Sequence, residues 1–238
     1  AGISCAEQLR ANGYAGRICI IDRLVGAPLE RPPLSKAYLL GDMALERMFL
    51  RPETFYSENN IELRMSARVD AINASEQTIL IGDETLHYDD LVLTTGSTPN
   101  RLPGSIGGAL DGVFVVRDLA DVDAMAARFV KGAKVLIVGG GYIGLEAASV
   151  ASKLGLQVTL VEMAERILQR VAAPETSDYF RALHSSHGVD LREGIGLDRL
   201  LGVDAVEGAR LTDGTELDVD FVIVGVGIAP ASGLVTTA

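Results

Sequence analysis

The chain has 238 residues, 48% of them hydrophobic, and a formal net charge of −11 at pH 7. This length allows one large or two ordinary domains with a sizeable core. The acidic balance disfavours nucleic acid and anionic membrane surfaces as partners. No apolar run approaches the length of a membrane span, and no signal peptide is visible in the given residues. The two cysteines form no disulfide framework, so we expect a protein of the reducing cytoplasm.

A helical pattern and a strand open the chain. The segment ISCAEQLRAN follows Gly2 and stops at Gly13, and the apolar run RICIID then ends on Asp22. Residues 23–40 begin as a proline-rich loop, which we predict to become a helix near Leu34.

Short strands are predicted next. After a short helix and turn in residues 50–60, the segments IELRMS, ARVDAINA, QTILIG and LHYDDLVLTTG show the alternating or apolar pattern of strands. Asp83 and Glu84 form the expected hairpin turn. The run 91–95 is expected to be a strand of the main sheet, because it is apolar and ends at Gly96.

A domain boundary is predicted between residues 99 and 108, where glycine and proline are frequent. A helix over 118–131 and the strands VDLREG, GARLTD, GTELDV and FVIVGVG follow it. We therefore divide the chain into a first nucleotide-binding domain (1–108), a second one (109–228), and a short segment that begins the return to the first (229–238).

The stretch KVLIVGGGYIGLEAASVASKLGLQVTLVE (134–162) carries the clearest functional pattern. A buried parallel strand enters a turn whose glycines Gly139, Gly141 and Gly144 have the spacing G-x-G-x-x-G, and a helix and a strand ending on Glu162 follow. The first glycine permits the tight turn, the second lets the backbone approach a pyrophosphate, and the third lets the helix pack against the strand. The helix N-terminus offers N–H groups to the phosphates. This order of elements predicts a dinucleotide site.

Glu162 indicates which dinucleotide binds. A carboxylate at the end of the second strand can accept hydrogen bonds from both ribose hydroxyls, whereas a 2′-phosphate would meet a like charge. We therefore favour NADH over NADPH. Arg166 and Arg170 follow closely, and either a solvated helix face or a cofactor contact is compatible with their positions.

The same pattern occurs twice. Gly2 and Gly13 have the same separation as Gly144 and Gly155, and the first strand also ends on an acid. Gly2 would then be the third glycine of an earlier G-x-G-x-x-G, so we expect a fragment that starts inside its first nucleotide-binding turn. Two such units imply two dinucleotides, as in a flavin enzyme that takes hydride from a nicotinamide.

The cysteines and histidines indicate neither a disulfide framework nor a metal site. Cys5 and Cys19 are typical of small buried hydrophobic residues and form no C-x-x-C motif. His184 and His187 lie three residues apart without a thiolate nearby, so we expect solvated histidines at a helix end and no bound metal.

Four segments carry a family resemblance: ERPPLSKAYL, LTTGSTPNRLPG, GGGYIGLEAA and FVIVGVG. Nearly end to end, the sequence resembles the putidaredoxin reductase-like, FAD-dependent ferredoxin reductases, which serve bacterial haem-thiolate monooxygenases and aromatic-ring dioxygenases. RPPLSK is the most specific segment, because it is not a general nucleotide-binding pattern. The resemblance implies an α/β fold of two Rossmann-like domains, three-layered with small antiparallel β segments. An inserted NADH domain would split the FAD domain, and we expect the given residues to stop before the family's C-terminal interface domain.

The resemblance also assigns residues to the two cofactors. Arg31 and Lys36 would lie on the flavin, and Lys36 would sit near flavin N5 and pair with Glu146, which could also accept from the nicotinamide carboxamide. A fixed cation near N5 favours electron density arriving on the ring, and a carboxylate partner lowers the cost of holding that cation. Lys36 and Glu146 are therefore the candidate catalytic pair. The other expected cofactor-binding residues are Gly2, Asp22, Thr94, Thr95 and Gly96 for FAD, and Gly139, Gly141, Tyr142, Ile143, Gly144, Glu162, Gly225, Val226 and Gly227 for NADH.

The sequence departs from the family pattern in three places. Pro28 and Leu29 precede RPPLSK, where the family usually has Pro-Tyr. Asn100 stands where T-G-x-x-P-R has its arginine, with Arg101 one position later, and counting back from Arg31 puts the family's ribose acid at Arg23. Asp22 would therefore bind the FAD ribose only if the turn shifts by one residue.

The expected function is that of an NADH-dependent ferredoxin reductase. NADH would pass hydride to FAD, and the reduced flavin would give single electrons to a two-iron two-sulfur ferredoxin that supplies a downstream oxygenase. The alternatives are the flavoprotein portion of a nitrite or rubredoxin reductase, a flavin disulfide reductase or peroxidase, a plain NADH-binding module, and a protein resembling apoptosis-inducing factor. Residues 23–60 contain no cysteine, which disfavours disulfide chemistry, and the net charge of −11 disfavours the DNA-binding alternative.

Overall fold

The computed structural model describes residues 1–236. Its α-helices are α1 (Gly2–Ala11), α2 (Glu53–Glu58), α3 (Leu119–Ala126), α4 (Tyr142–Lys153), α5 (Pro174–Ser186) and α6 (Gly233–Thr236). Its strands are β1 (Ile18–Ile21), β2 (Ile61–Arg64), β3 (Ala71–Asn73), β4 (Thr78–Ile81), β5 (Glu84–His87), β6 (Ser97–Pro99), β7 (Val113–Val115), β8 (Lys134–Val138), β9 (Gln157–Glu162), β10 (Asp190–Glu193), β11 (Leu197–Leu201), β12 (Gly208–Leu211), β13 (Glu216–Asp218), β14 (Phe221–Val224) and β15 (Ile228–Pro230). No helix in this part of the chain is long and apolar enough to cross a bilayer.

The chain divides into two compact units. The first unit contains Ala1–Glu30, Met48–Ser97 and the residues from Pro230 onward, and the second unit contains Arg31–Arg47 and Thr98–Ala229. This division differs from the boundary expected after residue 108. Residues 31–47 pack against α3 and α4 of the second unit, although they precede it by fifty residues or more in the sequence.

A parallel sheet with the strand order β10-β9-β8-β14-β7 forms the centre of the second unit. Residues 135–138 of β8 are all buried, as is usual for a strand covered on both faces. On one face α4 packs against β8 and β9, and Phe221 contacts Phe129 with 5.3 Å between ring centroids. On the other face Leu136 and Val222 pack with Leu211 of the antiparallel sheet β11-β12-β13. The α/β fold with a parallel sheet is therefore confirmed.

The first unit is built around the parallel pair β1 and β2. Ile3 and Ala6 of α1 pack with Tyr56 and Ile61 to form its small core. Strands β3, β4 and β5 form an antiparallel sheet. Its hairpin turn comes one residue earlier than expected, because Gly82 takes up the positive φ of 57° and residue 84 already belongs to β5.

The expected strand over residues 91–95 is absent. Leu91, Val92 and Leu93 are 36%, 61% and 40% exposed, and β6 begins only at Ser97. A strand needs a hydrogen-bonded neighbour, and none of the described residues pairs with this run. Its apolar pattern alone therefore does not make it part of a sheet.

Candidate functional site

Three glycines shape the turn between β8 and α4. Gly139 has a φ of +107°, and a Cβ there would lie 2.5 Å from the carbonyl oxygen of Gly225. A Cβ on Gly144 would lie 2.0 Å from the Gly139 oxygen, so only glycine lets α4 start this close to the strand. A Cβ on Gly141, in contrast, would meet nothing within 4 Å. The turn thus presents open backbone at the N-terminus of α4, where a pyrophosphate can bind.

The first turn of α4 also presents two apolar side chains. Tyr142 and Ile143 are 57% and 38% exposed, whereas Leu145 is buried. The two residues expected to contact NADH are therefore accessible beside the glycine turn.

Two backbone amides hold Glu162. Its Oε2 accepts a hydrogen bond from the Gly140 amide at 2.7 Å, and its Oε1 accepts one from the Ala164 amide at 2.8 Å. The half-buried carboxylate lies at the end of β9, the strand next to β8. Because each carboxylate oxygen can accept more than one hydrogen bond, the acid remains able to bind ribose hydroxyls.

Arg166 and Arg170 lie in the irregular segment between β9 and α5, so the helix-face interpretation is wrong for both. Arg166 donates to Ser177 Oγ at 2.6 Å and to the Ala172 carbonyl at 3.0 Å, which ties this segment to α5. Arg170 is exposed, and its Nη2 lies 3.8 Å from the point where a Cβ on Gly227 would be.

Residues 225–227 form the turn after β14. The Gly225 amide donates to the Val138 carbonyl at 2.8 Å, which keeps this turn beside the end of β8, and Gly227 has a φ of +100°. Asn100 donates its backbone amide to the Gly227 carbonyl at 3.0 Å and its side-chain amide to the Val226 carbonyl at 3.3 Å. The asparagine that departs from the family pattern therefore holds this turn.

Lys36 lies in a π-helical turn, Leu34–Tyr38, and its Nζ is 2.7 Å from Glu146 Oε2. The same Nζ donates to the Pro32 carbonyl at 3.3 Å. Ser35, which is buried, donates its hydroxyl to Glu146 Oε2 at 2.6 Å. The side chains of Lys36 and Glu146 are 49% and 27% exposed. The structure thus brings the two expected residues together and adds a third that sequence reasoning missed.

Arg117 is a second candidate site residue that the sequence analysis did not identify. It lies between β7 and Asp118, the N-cap of α3, and its buried Nε has no hydrogen-bond partner within residues 1–236. Burial and, second, the nearby charge of Arg31 lower the pKa of Arg117. A buried guanidinium with an unused Nε donor suits an anionic ligand such as a cofactor phosphate. The available sequence signal, an arginine just before a helix cap in VVRDLAD, is not specific by itself.

The expected FAD residues of the first unit lie near the start of α1. A Cβ on Gly2 would lie 2.9 Å from Thr94 Oγ1, so the helix begins close to the 94–96 segment. Gly96 has a φ of +71°, and its carbonyl accepts from the Ala231 amide at 2.9 Å. Thr95 donates its hydroxyl to the Ala231 carbonyl at 2.7 Å.

Asp22 repeats part of the geometry of Glu162. Its Oδ1 accepts from the Leu24 amide at 3.0 Å, and Glu162 likewise accepts from the amide two residues ahead. Gly13 and Gly155, with φ of +81° and +80°, follow α1 and α4 in the same way. The internal repeat inferred from the sequence therefore extends to backbone detail.

The cysteines and histidines do not gather at this site. Cys5 and Cys19 are free and half-buried. His184 is buried rather than solvated. Its ring nitrogens lie 2.8 and 3.0 Å from backbone carbonyl oxygens of α5 and α4. No group of three or more His, Cys, Asp or Glu side chains in residues 1–236 could hold a metal ion.

This chain is similar to a known protein family and to individual proteins in it. Residues 1–238 match the pyridine nucleotide-disulphide oxidoreductase family. The chain is 43% identical over 236 residues to the ferredoxin reductase subunit of 5,5'-dehydrodivanillate O-demethylase from Sphingobium sp., a match that covers 98% of this chain and 57% of that protein. It is 35% identical over 240 residues to a rubredoxin-NAD(+) reductase of Pseudomonas putida, covering 100% of this chain and 62% of that protein.

A solved structure of a related reductase has the same fold as this chain. The crystal structure of the covalent putidaredoxin reductase–putidaredoxin complex matches with a TM-score of 0.94 and 35% identity, covering 99% of this chain and 57% of that chain. The chain therefore spans 57 to 62% of the length of the proteins it matches.

Proposed function

Because this chain belongs to the pyridine nucleotide-disulphide oxidoreductase family, we propose that the complete protein passes electrons from NADH through FAD to a two-iron two-sulfur ferredoxin of a bacterial oxygenase system. The observation that carries the proposal is the ion pair of Lys36 with Glu146, on the helix that follows the glycine turn. The ferredoxin reductase of an O-demethylase among the relatives, and the reductase structure solved with putidaredoxin, support the choice of acceptor.

The residues around the glycine turn support NADH as the electron donor. Gly141 would leave room for the pyrophosphate, and the turn 225–227 would lie along the nicotinamide half. Glu162 would accept from the ribose hydroxyls and would repel a 2′-phosphate. Arg166 already binds Ser177 and a carbonyl, so it is not free to offset that repulsion.

Each unit contains residues that fit FAD. In the first unit, Gly2 lets the N-terminus of α1 lie close to Thr94, which is the packing that the third glycine of a nucleotide-binding turn permits. In the second unit, Arg31 and Arg117 supply positive charge and the unused Nε donor. When bound, FAD would accept two electrons at once and release them singly.

Lys36 and Glu146 would act by position and charge. Glu146 and the Pro32 carbonyl fix the Lys36 ammonium, and a fixed cation stabilises developing negative charge without the reorganisation that water would need. Glu146 uses Oε2 for Lys36 and leaves Oε1 able to accept from the nicotinamide carboxamide. Neither side chain needs to exchange a proton for a hydride to move.

A rubredoxin is the alternative acceptor, because the rubredoxin-NAD(+) reductase of Pseudomonas putida is 35% identical to this chain. Disulfide reduction has less support. The sequence contains only Cys5 and Cys19, and neither belongs to the segment 23–60, where a redox cysteine would be expected.

The proposal is tested by anaerobic reduction of the complete flavin-loaded protein. We expect NADH to bleach the flavin absorbance much faster than NADPH does. The reduced protein should then reduce a two-iron two-sulfur ferredoxin and leave glutathione disulfide unchanged. Faster bleaching by NADPH would contradict the assignment of NADH as the electron donor. Reduction of rubredoxin but not of ferredoxin would show that the electron acceptor is a rubredoxin. A protein that binds no flavin would remove the proposal altogether.

A further inference from the structure

Ser35 is a buried hydroxyl beside a half-exposed lysine. Its relative exposure is 4%, and the preceding Leu34, at 2%, anchors the same turn in the core. The side chain of Lys36 is 49% exposed. Of the two groups that bind Glu146, Ser35 is therefore the one whose position the packing fixes.

Both groups bind the same oxygen. Lys36 Nζ is 2.7 Å and Ser35 Oγ is 2.6 Å from Glu146 Oε2. Attraction between an ammonium and a carboxylate has little directional preference, and an exposed pair of this kind is weak. A hydroxyl donor at this distance from a carboxylate forms a directional, charge-assisted hydrogen bond. Ser35 can therefore set which oxygen faces Lys36.

The other oxygen, Glu146 Oε1, has no hydrogen-bond partner within residues 1–236. Glu146 lies in the second turn of α4, directly after the residues that border the glycine turn. A nicotinamide carboxamide carries two N–H donors, and a free carboxylate oxygen at this position is a suitable acceptor.

We propose that Ser35 is a positioning residue, which orients the Glu146 carboxylate so that Oε2 serves Lys36 and Oε1 faces the nicotinamide carboxamide. The inference rests on the proposed function, since it requires a nicotinamide dinucleotide at the glycine turn. Ser35 itself touches neither the dinucleotide nor the flavin in this role.

Binding of two dinucleotides to the complete protein with oxidised flavin tests the inference without any redox step. The probes are NAD⁺ and its 3-acetylpyridine analogue, in which a methyl group replaces the amide NH₂ and removes the donors. Calorimetric titration gives the ratio of their dissociation constants. We expect the wild-type protein to prefer NAD⁺ by about ten- to a hundredfold, the usual worth of a hydrogen bond to a charged group.

Four variants separate orientation from folding. Ser35→Ala and Ser35→Cys should move the ratio toward one, because cysteine keeps the shape of serine but is a weak donor. Ser35→Thr, which keeps a hydroxyl, should retain the preference. Ser149→Ala, an exposed serine on the same helix, is the matched control and should leave the ratio unchanged. In a Glu146→Ala background, Ser35→Ala should have no further effect on the ratio.

The outcomes separate this inference from the function on which it rests. Binding of neither dinucleotide by the folded wild-type protein would contradict the proposed function. Binding with an unchanged ratio in both Ser35→Ala and Ser35→Cys would overturn the role of Ser35 alone. An equal loss of affinity for both dinucleotides would also overturn it, because that result indicates a purely structural serine.

Discussion

At the scale of single residues, Lys36 combines solvent exposure with a fixed position. Its Nζ contacts one carboxylate oxygen and one carbonyl oxygen, while about half of its side chain remains exposed. Exposed ion pairs stabilise a fold by only about 0–1 kcal/mol. The pair with Glu146 is therefore better explained by its effect on a bound cofactor than by its effect on stability.

Replacing Lys36 by alanine should change the flavin more than the fold. In the complete flavin-loaded protein, we expect Lys36→Ala to lower the two-electron midpoint potential by about 30 mV, equivalent to about 1.4 kcal/mol, because a cation near the reduced ring is lost. Lys36→Arg keeps the charge and should retain most of the potential. Equilibration with a reference dye measures it, and an unchanged potential in Lys36→Ala would remove this lysine from the mechanism.

Cys19 should react slowly with alkylating agents. Burial and, second, the nearby charge of Glu62 raise the pKa of the Cys19 thiol, so little of the reactive thiolate forms at neutral pH. We expect iodoacetamide at pH 7.5 to label Cys19 slowly in the folded chain and quickly after unfolding in urea. Peptide mass mapping measures the difference. Rapid labelling in the folded chain would contradict the protection of this thiol by burial.

At the scale of elements, the strand–turn–helix around the glycines was predictable because backbone sterics dictate its sequence. The contacts at Gly139 and Gly144 leave no room for a side chain, so the pattern G-x-G-x-x-G encodes the geometry directly. The pairing of Lys36 with Glu146 was also expected, but only through the family resemblance, since 110 positions separate the two residues. No local pattern connects residues so far apart.

Two alanine substitutions should separate packing from ligand binding in this turn. Gly144→Ala places a methyl group against the Gly139 carbonyl, so it should destabilise the second unit by about 1–3 kcal/mol and abolish NAD⁺ binding. Gly141→Ala meets no protein atom, and its φ of −81° suits alanine, so stability should be unchanged.

The Gly141→Ala methyl group would nevertheless occupy the space left for the pyrophosphate, and NAD⁺ affinity should fall. Urea unfolding and calorimetry on both variants provide the measurements. Wild-type affinity in Gly141→Ala would mean that the dinucleotide does not lie over this turn.

Elements that depend on distant partners were harder to predict. Residues 91–95 have the composition of a strand, yet no described segment pairs with them. Strands β7 and β11 do pair with neighbours, but their sequences lack a clear strand pattern, so we did not predict them. Strand β7 has only three residues, and a register irregularity between Leu197 and Arg199 interrupts β11. Ser35 and Arg117 could not be identified because burial, not residue type, distinguishes them.

At the scale of the whole molecule, a nicotinamide dinucleotide should protect one unit selectively. A ligand that binds only the folded state stabilises it by about 2.7 kcal/mol when present at a hundred times its dissociation constant. We expect NAD⁺ to slow amide hydrogen exchange in β8, α4, β14 and residues 31–47 of the second unit. Strands β3 to β5 of the first unit should exchange at the unliganded rate. Uniform protection of both units, or none in α4, would contradict the assignment.

The second unit is assembled from two separate stretches of sequence, with Arg31–Arg47 seated on helices of Thr98–Ala229. A nicotinamide module cut from a relative at residue 98 and grafted elsewhere would carry the glutamate without its lysine and serine. A functional chimera would have to take positions 35, 36 and 146 from one donor. Among natural homologues, these three positions should accordingly vary as a group rather than independently.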